Sequence, residues 1–209
     1  MRPLSELECD ALSEAFNLAL GEAAATFASI VREEITLSAP VVEIITRDTL
    51  IARLQAAGCG NGTSRICSID QRFHADMHFD SDALLLFPEQ GSLEIVRRMI
   101  GDETPIEQIT ELEQDALAEI GNIIINSCMS SLANLFGTEM HGSLPVVRSC
   151  TADTLLGVRQ ASDVILVAQI NMRMSAHDIS GYVLFIMDVP SIESFMRQVA
   201  RLFNLPERV

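Results

Sequence analysis

The chain has 209 residues, 48% of them hydrophobic, with 29 acidic and 14 basic side chains and a formal net charge of −15. The apolar content is enough for a substantial core, while the acidic balance excludes nucleic acid as the main partner and docking on anionic lipid, both of which need basic patches. All 14 basic residues are arginine, and the five cysteines (Cys9, Cys59, Cys67, Cys128, Cys150) are scattered, odd in number and never spaced C-x-x-C, the pattern of free thiols in a reducing cytosol.

Residues 1–10 are acidic and lack an apolar stretch, so no signal peptide is expected. No uninterrupted apolar run approaches the ~18 residues of a spanning helix, so the expected location is the cytoplasm, without membrane insertion. Ser5-x-x-Glu8 is a capping-box pattern and opens a stretch to about residue 35 with no proline after it and one glycine, Gly21; the prediction is one long helix. On it Asp10, Glu14, Asn17 and Gly21 share a narrow polar stripe, opposite Leu12, Phe16, Ala19, Ala23, Phe27 and Ile30. A strand follows over 40–46, then a turn-like piece at Asp48-Thr49-Leu50 and a Gly/Asn/Ser-rich loop over 56–64. Residues 66–79 alternate, Phe73, Ala75, Met77 and Phe79 against Arg72, His74, Asp76 and His78, which predicts a half-buried strand. The apolar run 83–87 reads as a buried strand and 92–100 as an amphipathic helix.

The order then recurs. Thr110-x-x-Glu113 predicts a second long helix over 110–136, with Asp115, Glu119, Asn122 and Asn126 on one stripe opposite Leu117, Ile124, Cys128 and Leu132. Strands are expected at 145–150, 164–176 (Met172 and Met174 inward) and 182–187, a turn-like piece at Asp153-Thr154-Leu155, and a closing helix at 191–203. The match is residue by residue: the offset is 105 through the Pro40/Pro145 and Asp48/Asp153 segments and 99 from His78/His177 onward, with the difference absorbed in the first loop. The expected fold class is α+β: two pseudo-symmetric helix–three-strand–helix units, about 1–103 and 104–209, in a single domain. They would form one roughly six-stranded sheet with the two long helices on one face.

Asp10-x3-Glu14-x2-Asn17 recurs as Asp115-x3-Glu119-x2-Asn122, with Pro40 and Pro145 each 23 residues past the asparagine. A single polar i, i+3 pair is usually just solvated. Retention in both copies is different, because neighbours such as Ser13/Ala118 and Glu22/Ser127 diverged, and asparagine is a poor helix-interior residue. An amide can donate and accept at once, so it can hold a water in line with an electrophile; a carboxylate can pair with a cationic group on a partner. Positioning of this kind suits hydrolysis of an already activated acyl phosphate, as with the water-orienting glutamine of GTPases. His74, Asp76 and His78 share a strand face, but neither His74 nor Asp76 has a matching ligand in the second copy, so a solvated face is the reading and no metal is expected. The nine methionines read as packing.

Present twice, the pattern Asp-x3-Glu-x2-Asn-x22-Pro resembles the CheC/CheX/FliY family of chemotaxis phosphatases, and two sites in one chain without a C-terminal flagellar-switch domain look most like the CheC type. The resemblance implies that the substrate is a phosphorylated CheY-type response regulator. It implies that Asn17 and Asn122 orient the hydrolytic water and that Glu14 and Glu119 anchor the regulator's active-site lysine. Asp10, Asp115, Pro40 and Pro145 complete the signature. No cofactor of the chain's own is implied, since the Mg²⁺ belongs to the regulator. Some relatives also bind CheD, which carries over by analogy alone. The second copy has Gly121 before its asparagine, as relatives often do; the first has Phe16, which leaves room for a weaker first site. The competing expectation is a non-enzymatic adaptor that captures phospho-CheY, CheD or a receptor through the same stripes.

Overall fold

A computed structural model describes residues 4–32, 34–57, 65–75, 79–100, 106–157, 164–174 and 179–205; at 90, 98–100, 106–112, 174, 179 and 180 the description is limited to the backbone. The elements in chain order are α1 (Glu6–Val31), β1 (Ile35–Leu37), β2 (Val41–Thr46), α2 (Arg47–Ala56), β3 (Ile66–Ala75), β4 (Phe79–Pro88), α3 (Glu89–Ile100), α4 (Ile106–Phe136), β5 (His141–Gly142), β6 (Val146–Cys150), α5 (Ala152–Leu156), β7 (Val164–Met174), β8 (Ile179–Met187) and α6 (Val189–Leu202).

The eight strands form one antiparallel sheet, the α+β class expected. β4 pairs β8 at the centre, β3 and β7 flank them, and each outer edge is shared by two short strands, β1 with β2 on β7 and β5 with β6 on β3. Six strands are the predicted ones; β1 and β5 are additions of three and two residues that exist because a long neighbour supplies their partners. The first half's β2 lies on the second half's β7, and the second half's β6 on the first half's β3, so each half donates its edge to the other. The register follows the sequence offsets. Val41 faces Gln169 while Val146 faces Asp70, and Leu37 faces Met172 while Gly142 faces Phe73.

Side-chain alternation sends the sheet's two faces to different helices. Ala83, Leu85 and Phe87 of β4 and Val183, Phe185 and Met187 of β8 join the core beneath α1, α3, α4 and α6. Leu84, Leu86, Leu184 and Ile186 face a smaller core closed by Leu50 and Leu54 of α2 and Leu156 of α5. Burial on both faces explains why the central strands read as uninterrupted apolar runs. The stretch Glu113–Phe136 of α4 has the length and hydropathy of a membrane span, yet half of it is buried inside this fold, where α4 contacts α1, α3 and β3.

Four local expectations are corrected. The turn-like pieces at Asp48 and Asp153 are the first turns of α2 and α5, each N-capped by a threonine: the N–H of Thr49 donates to Thr46 Oγ1 and that of Thr154 to Thr151 Oγ1, both at 3.3 Å. The strand read over 66–79 is a hairpin, with Ala75 opposite Phe79. Directly paired residues share a face, so the alternation passed through the reversal unbroken; Asp76, Met77 and His78 lie outside the described residues. The first long helix stops at Val31, where Arg32 enters the left-handed region at φ 56°, and Ile35 starts a strand. The second starts at Ile106 instead of Thr110, for no helix breaker separates the two. Glu113 therefore caps nothing. It accepts from Ser92 Oγ at 2.8 Å and ties α4 to α3, whereas Ser5 and Glu8 do form the capping box, with the Ser5 N–H donating to Glu8 Oε2 at 2.7 Å.

On β3, Asp70 is paired with Arg148 at 2.8 Å but largely buried. Burial pushes its carboxyl above the ordinary 3.8, against the pull of Arg148. A raised folded-state value means that the native protein holds this proton more tightly, so the residue's contribution to stability is fully present below the unfolded value and is lost as pH rises through the folded one. Urea unfolding of Asp70→Asn should therefore gain on the wild type as pH climbs from about 3.8 toward neutrality. A stability difference that stays flat with pH would refute the shift.

Candidate functional site

The polar stripes fall where helical periodicity places them. In α1 the residues Leu12, Ala15, Phe16, Ala19, Ala23 and Phe27 are buried, which turns Asp10, Glu14, Asn17 and Gly21 outward; all four are exposed. In α4, Leu117, Ile120, Ile124, Cys128 and Leu132 are buried; Asp115 and Glu119 are exposed, and Asn122 and Asn126 half-buried. The helices pack on each other, with Ser131 Oγ of α4 donating to Glu22 Oε2 of α1 at 3.0 Å. Pro40 is buried and Pro145 half-buried, each immediately before an edge strand, where the missing N–H costs no ladder bond.

The two stripes differ in detail. The side chain of Asn17 makes no hydrogen bond among the described residues, and the next residue, Leu18, is 52% exposed. Asn122 accepts from Asn126 Nδ2, one turn further along α4, at 2.7 Å. Beneath the stripes the sheet contacts also differ. Phe16 is fully buried, its ring 5.0 Å from Phe185 and 5.5 Å from Phe195 between centroids. A Cβ at the equivalent Gly121 would lie 2.2 Å from Ile69 Cγ2, so α4 rests directly on that side chain. The volumes are exchanged between halves: Ala168 stands at the position equivalent to Ile69. Alanine at Gly121 is a better helix former by about 1 kcal/mol, yet it should lower stability by about 1–3 kcal/mol, because an isoleucine on a sheet cannot retreat. Denaturation midpoints of Gly121→Ala decide the matter; a stabilised variant would show that the contact yields.

Other candidates carry less. His74 is exposed and its Nδ1 lies 3.1 Å from Asp80 Oδ1, while Asp76 and His78 fall outside the described residues; among those described, no cluster of three or more His, Cys, Asp or Glu residues suits a metal ion. A recess of about 170 Å³ is lined by Arg47, Arg72, Asp80, Ser81, Asp82 and Asp188. Its charges are mixed, Arg72 is paired with Asp82 at 3.0 Å, and it has no twin, since Ala152 and Asn171 replace Arg47 and Arg72. The buried thiols are poor nucleophiles: burial raises Cys67 to about 12 and pushes Cys128 up as well. Four methionines, Met129, Met172, Met187 and Met196, are core residues. Exposed apolar side chains include Leu7 and Leu18 on α1, Val41 after Pro40, and Leu144 and Val146 around Pro145.

No protein-family model matches the chain. Over 200 residues it is 22% identical to the CheY-P phosphatase CheC of Bacillus subtilis (strain 168), covering 91% of this chain and 92% of that one. Among solved structures, Thermotoga maritima FliY superposes with a TM-score of 0.73 at 17% identity, covering 95% of this chain and 98% of FliY. CheX from Borrelia burgdorferi, solved as a CheX–CheY–BeF₃–Mg²⁺ complex, superposes with a TM-score of 0.55 at 14% identity, covering 84% and 96%.

Proposed function

Proceeding from this CheC/CheX/FliY-like fold and its likeness to CheC over most of the chain, we propose that the protein hydrolyses the aspartyl phosphate of a CheY-type response regulator. The observation that carries this reading is the pair of Glu-x2-Asn stripes, exposed Glu14 with exposed Asn17 and exposed Glu119 with half-buried Asn122, standing on sister helices while the residues between them serve the core. The CheX complex with CheY and BeF₃ supports the choice of partner.

In the reaction, a water held by Asn17 or Asn122 attacks phosphorus. The water oxygen forms the new P–O bond, the bond from phosphorus to the aspartyl oxygen breaks, and the aspartate leaves as a carboxylate with inorganic phosphate as the other product. Glu14 or Glu119 pairs with the cationic side chain of the docked regulator and fixes the geometry. Mg²⁺, when present, is held by the regulator and offsets charge on the phosphoryl oxygens. Exposed Leu7 and Leu18 on α1, Val41 in the first half, and Leu144 and Val146 in the second half offer apolar contacts to a protein surface. The two repeats, about 1–103 and 104–209, act as one domain because each edge of the sheet mixes strands from both halves. A regulator of this type and four unpaired described cysteines fit a reducing cytoplasm.

Decay of phosphorylated regulators, screened across the organism's own set, tests the proposal. An acceleration of about 100-fold is expected for one of them, which corresponds to about 2.7 kcal/mol of barrier, within reach of a positioned water and one ion pair. Tight binding with an unchanged decay rate across the whole set would instead make the protein an adaptor.

A further inference from the structure

We infer that Asn126 is a positioning residue that sets the side-chain amide of Asn122, so that the second site is pre-organised in a way the first is not. This rests on the phosphatase reading above. The amide nitrogen of Asn126 donates to Asn122 Oδ1 at 2.7 Å across one helical turn, and both side chains are half-buried. An asparagine amide rotates freely between two orientations that exchange its donor and acceptor ends. A donor at Oδ1 selects one of them. Oδ1 keeps a second lone pair for a hydrogen of the attacking water, and accepting the first bond polarises the amide.

A second difference between the halves lies beside Asn126. A Cβ at Gly142 of β5 would stand 3.3 Å from Asn126 Oδ1 and 2.7 Å from Phe73 Cε1. The equivalent positions in the first half are Gly21 and Leu37, the sizes reversed. Gly21 faces open space, and Asn17 has no hydrogen-bonding neighbour among the described residues. Residues 21 and 126 therefore give the two Glu-x2-Asn pairs different neighbours. Asparagine is a poor helix-interior residue, and glycine in a strand gives up packing, so neither Asn126 nor Gly142 is explained by local stability.

The test isolates the second site in an Asn17→Ala background and measures kcat and KM with a phosphorylated regulator. Asn126→Asp keeps the shape but removes the donor, and Asn126→Gly copies the first half. Each should lower kcat about five- to tenfold, the worth of one hydrogen bond, with KM unchanged. Asn126→Gln retains the donor and should restore most of the rate. In the reciprocal experiment, Gly21→Asn in an Asn122→Ala background should raise the kcat of the first site. Because glycine also weakens the helix, the aspartate and glutamine variants carry the comparison. If the Asn17→Ala enzyme is active and its kcat is indifferent to Asp or Gly at 126, or if KM alone moves, the positioning role is wrong while the phosphatase reading stands. Activity that survives loss of both asparagines would remove the reading itself.

Discussion

Alanine at both Asn17 and Asn122 should reduce regulator dephosphorylation to its spontaneous rate, a loss of about 100-fold, with the fold intact. Asn17 is exposed and Asn122 half-buried, so neither substitution opens a cavity in the core, and alanine is the better helix former at both positions. What disappears is the pair of amides proposed to hold water in line with phosphorus. Each single variant should keep the turnover of the remaining site. Glu14→Ala and Glu119→Ala should act differently, raising KM first, because the carboxylate is assigned to holding the docked regulator. Phosphate release, followed alongside far-ultraviolet circular dichroism, separates chemistry from folding. A double variant that remains fully active ends the mechanism, whatever the similarity to CheC.

Phe16→Ala should destabilise the protein by about 3–5 kcal/mol, as large-to-small changes of buried aromatics do. For a chain of this size that is a fall in melting temperature of roughly 6–20 °C. Phe16 has no exposed surface and stacks on Phe185; it also touches Phe195, which in turn meets Phe79 at 5.6 Å and Phe136 edge-on at 5.2 Å between centroids. One side chain thus joins α1, β8 and α6, while Phe79 of β4 and Phe136 of α4 meet the same ring of Phe195. Loss of the ring leaves a void that a sheet and three helices cannot all close. A midpoint shift worth under about 1 kcal/mol would mean that the cluster repacks or is not formed. The same geometry changes how the Phe16/Gly121 difference is read. Phe16 points into the core beneath Asn17, so it fills space against the sheet without occupying the face on which Asn17 stands; the contrast in amide surroundings lies one turn further along, at Gly21 and Asn126.

The long helices, their buried sides and their polar stripes were legible because a 3.6-residue period fixes which side chains share a face. Leu12, Phe16, Ala19, Ala23 and Phe27 are buried where the spacing places them, and Glu14 and Asn17 are outside. The offsets of 105 and 99 were legible too, and they reappear as strand register. Other features misled for identifiable reasons. Asp48-Thr49 resembles a turn because polar residues open helices and turns alike, and Leu50, Ile51 and Leu54 count as a helical stripe only once a sheet lies under them. The alternation over 66–79 hid a hairpin, since period two is preserved across paired residues. Thr110-x-x-Glu113 matched a cap but sits inside a helix, because a motif of four residues does not report what precedes it.

The amino-acid order alone carried the recurring Asp-x3-Glu-x2-Asn pattern, the faces of the two long helices and the presence of an amide and a carboxylate on each polar stripe, all properties of spacing along one chain. Tertiary structure decided which half supplies the edge strands, and that Gly142 of β5 comes to stand beside Asn126 and Phe73. Those outcomes depend on segments distant in sequence competing for the same hydrogen bonds and the same volume, and no local pattern carries that information.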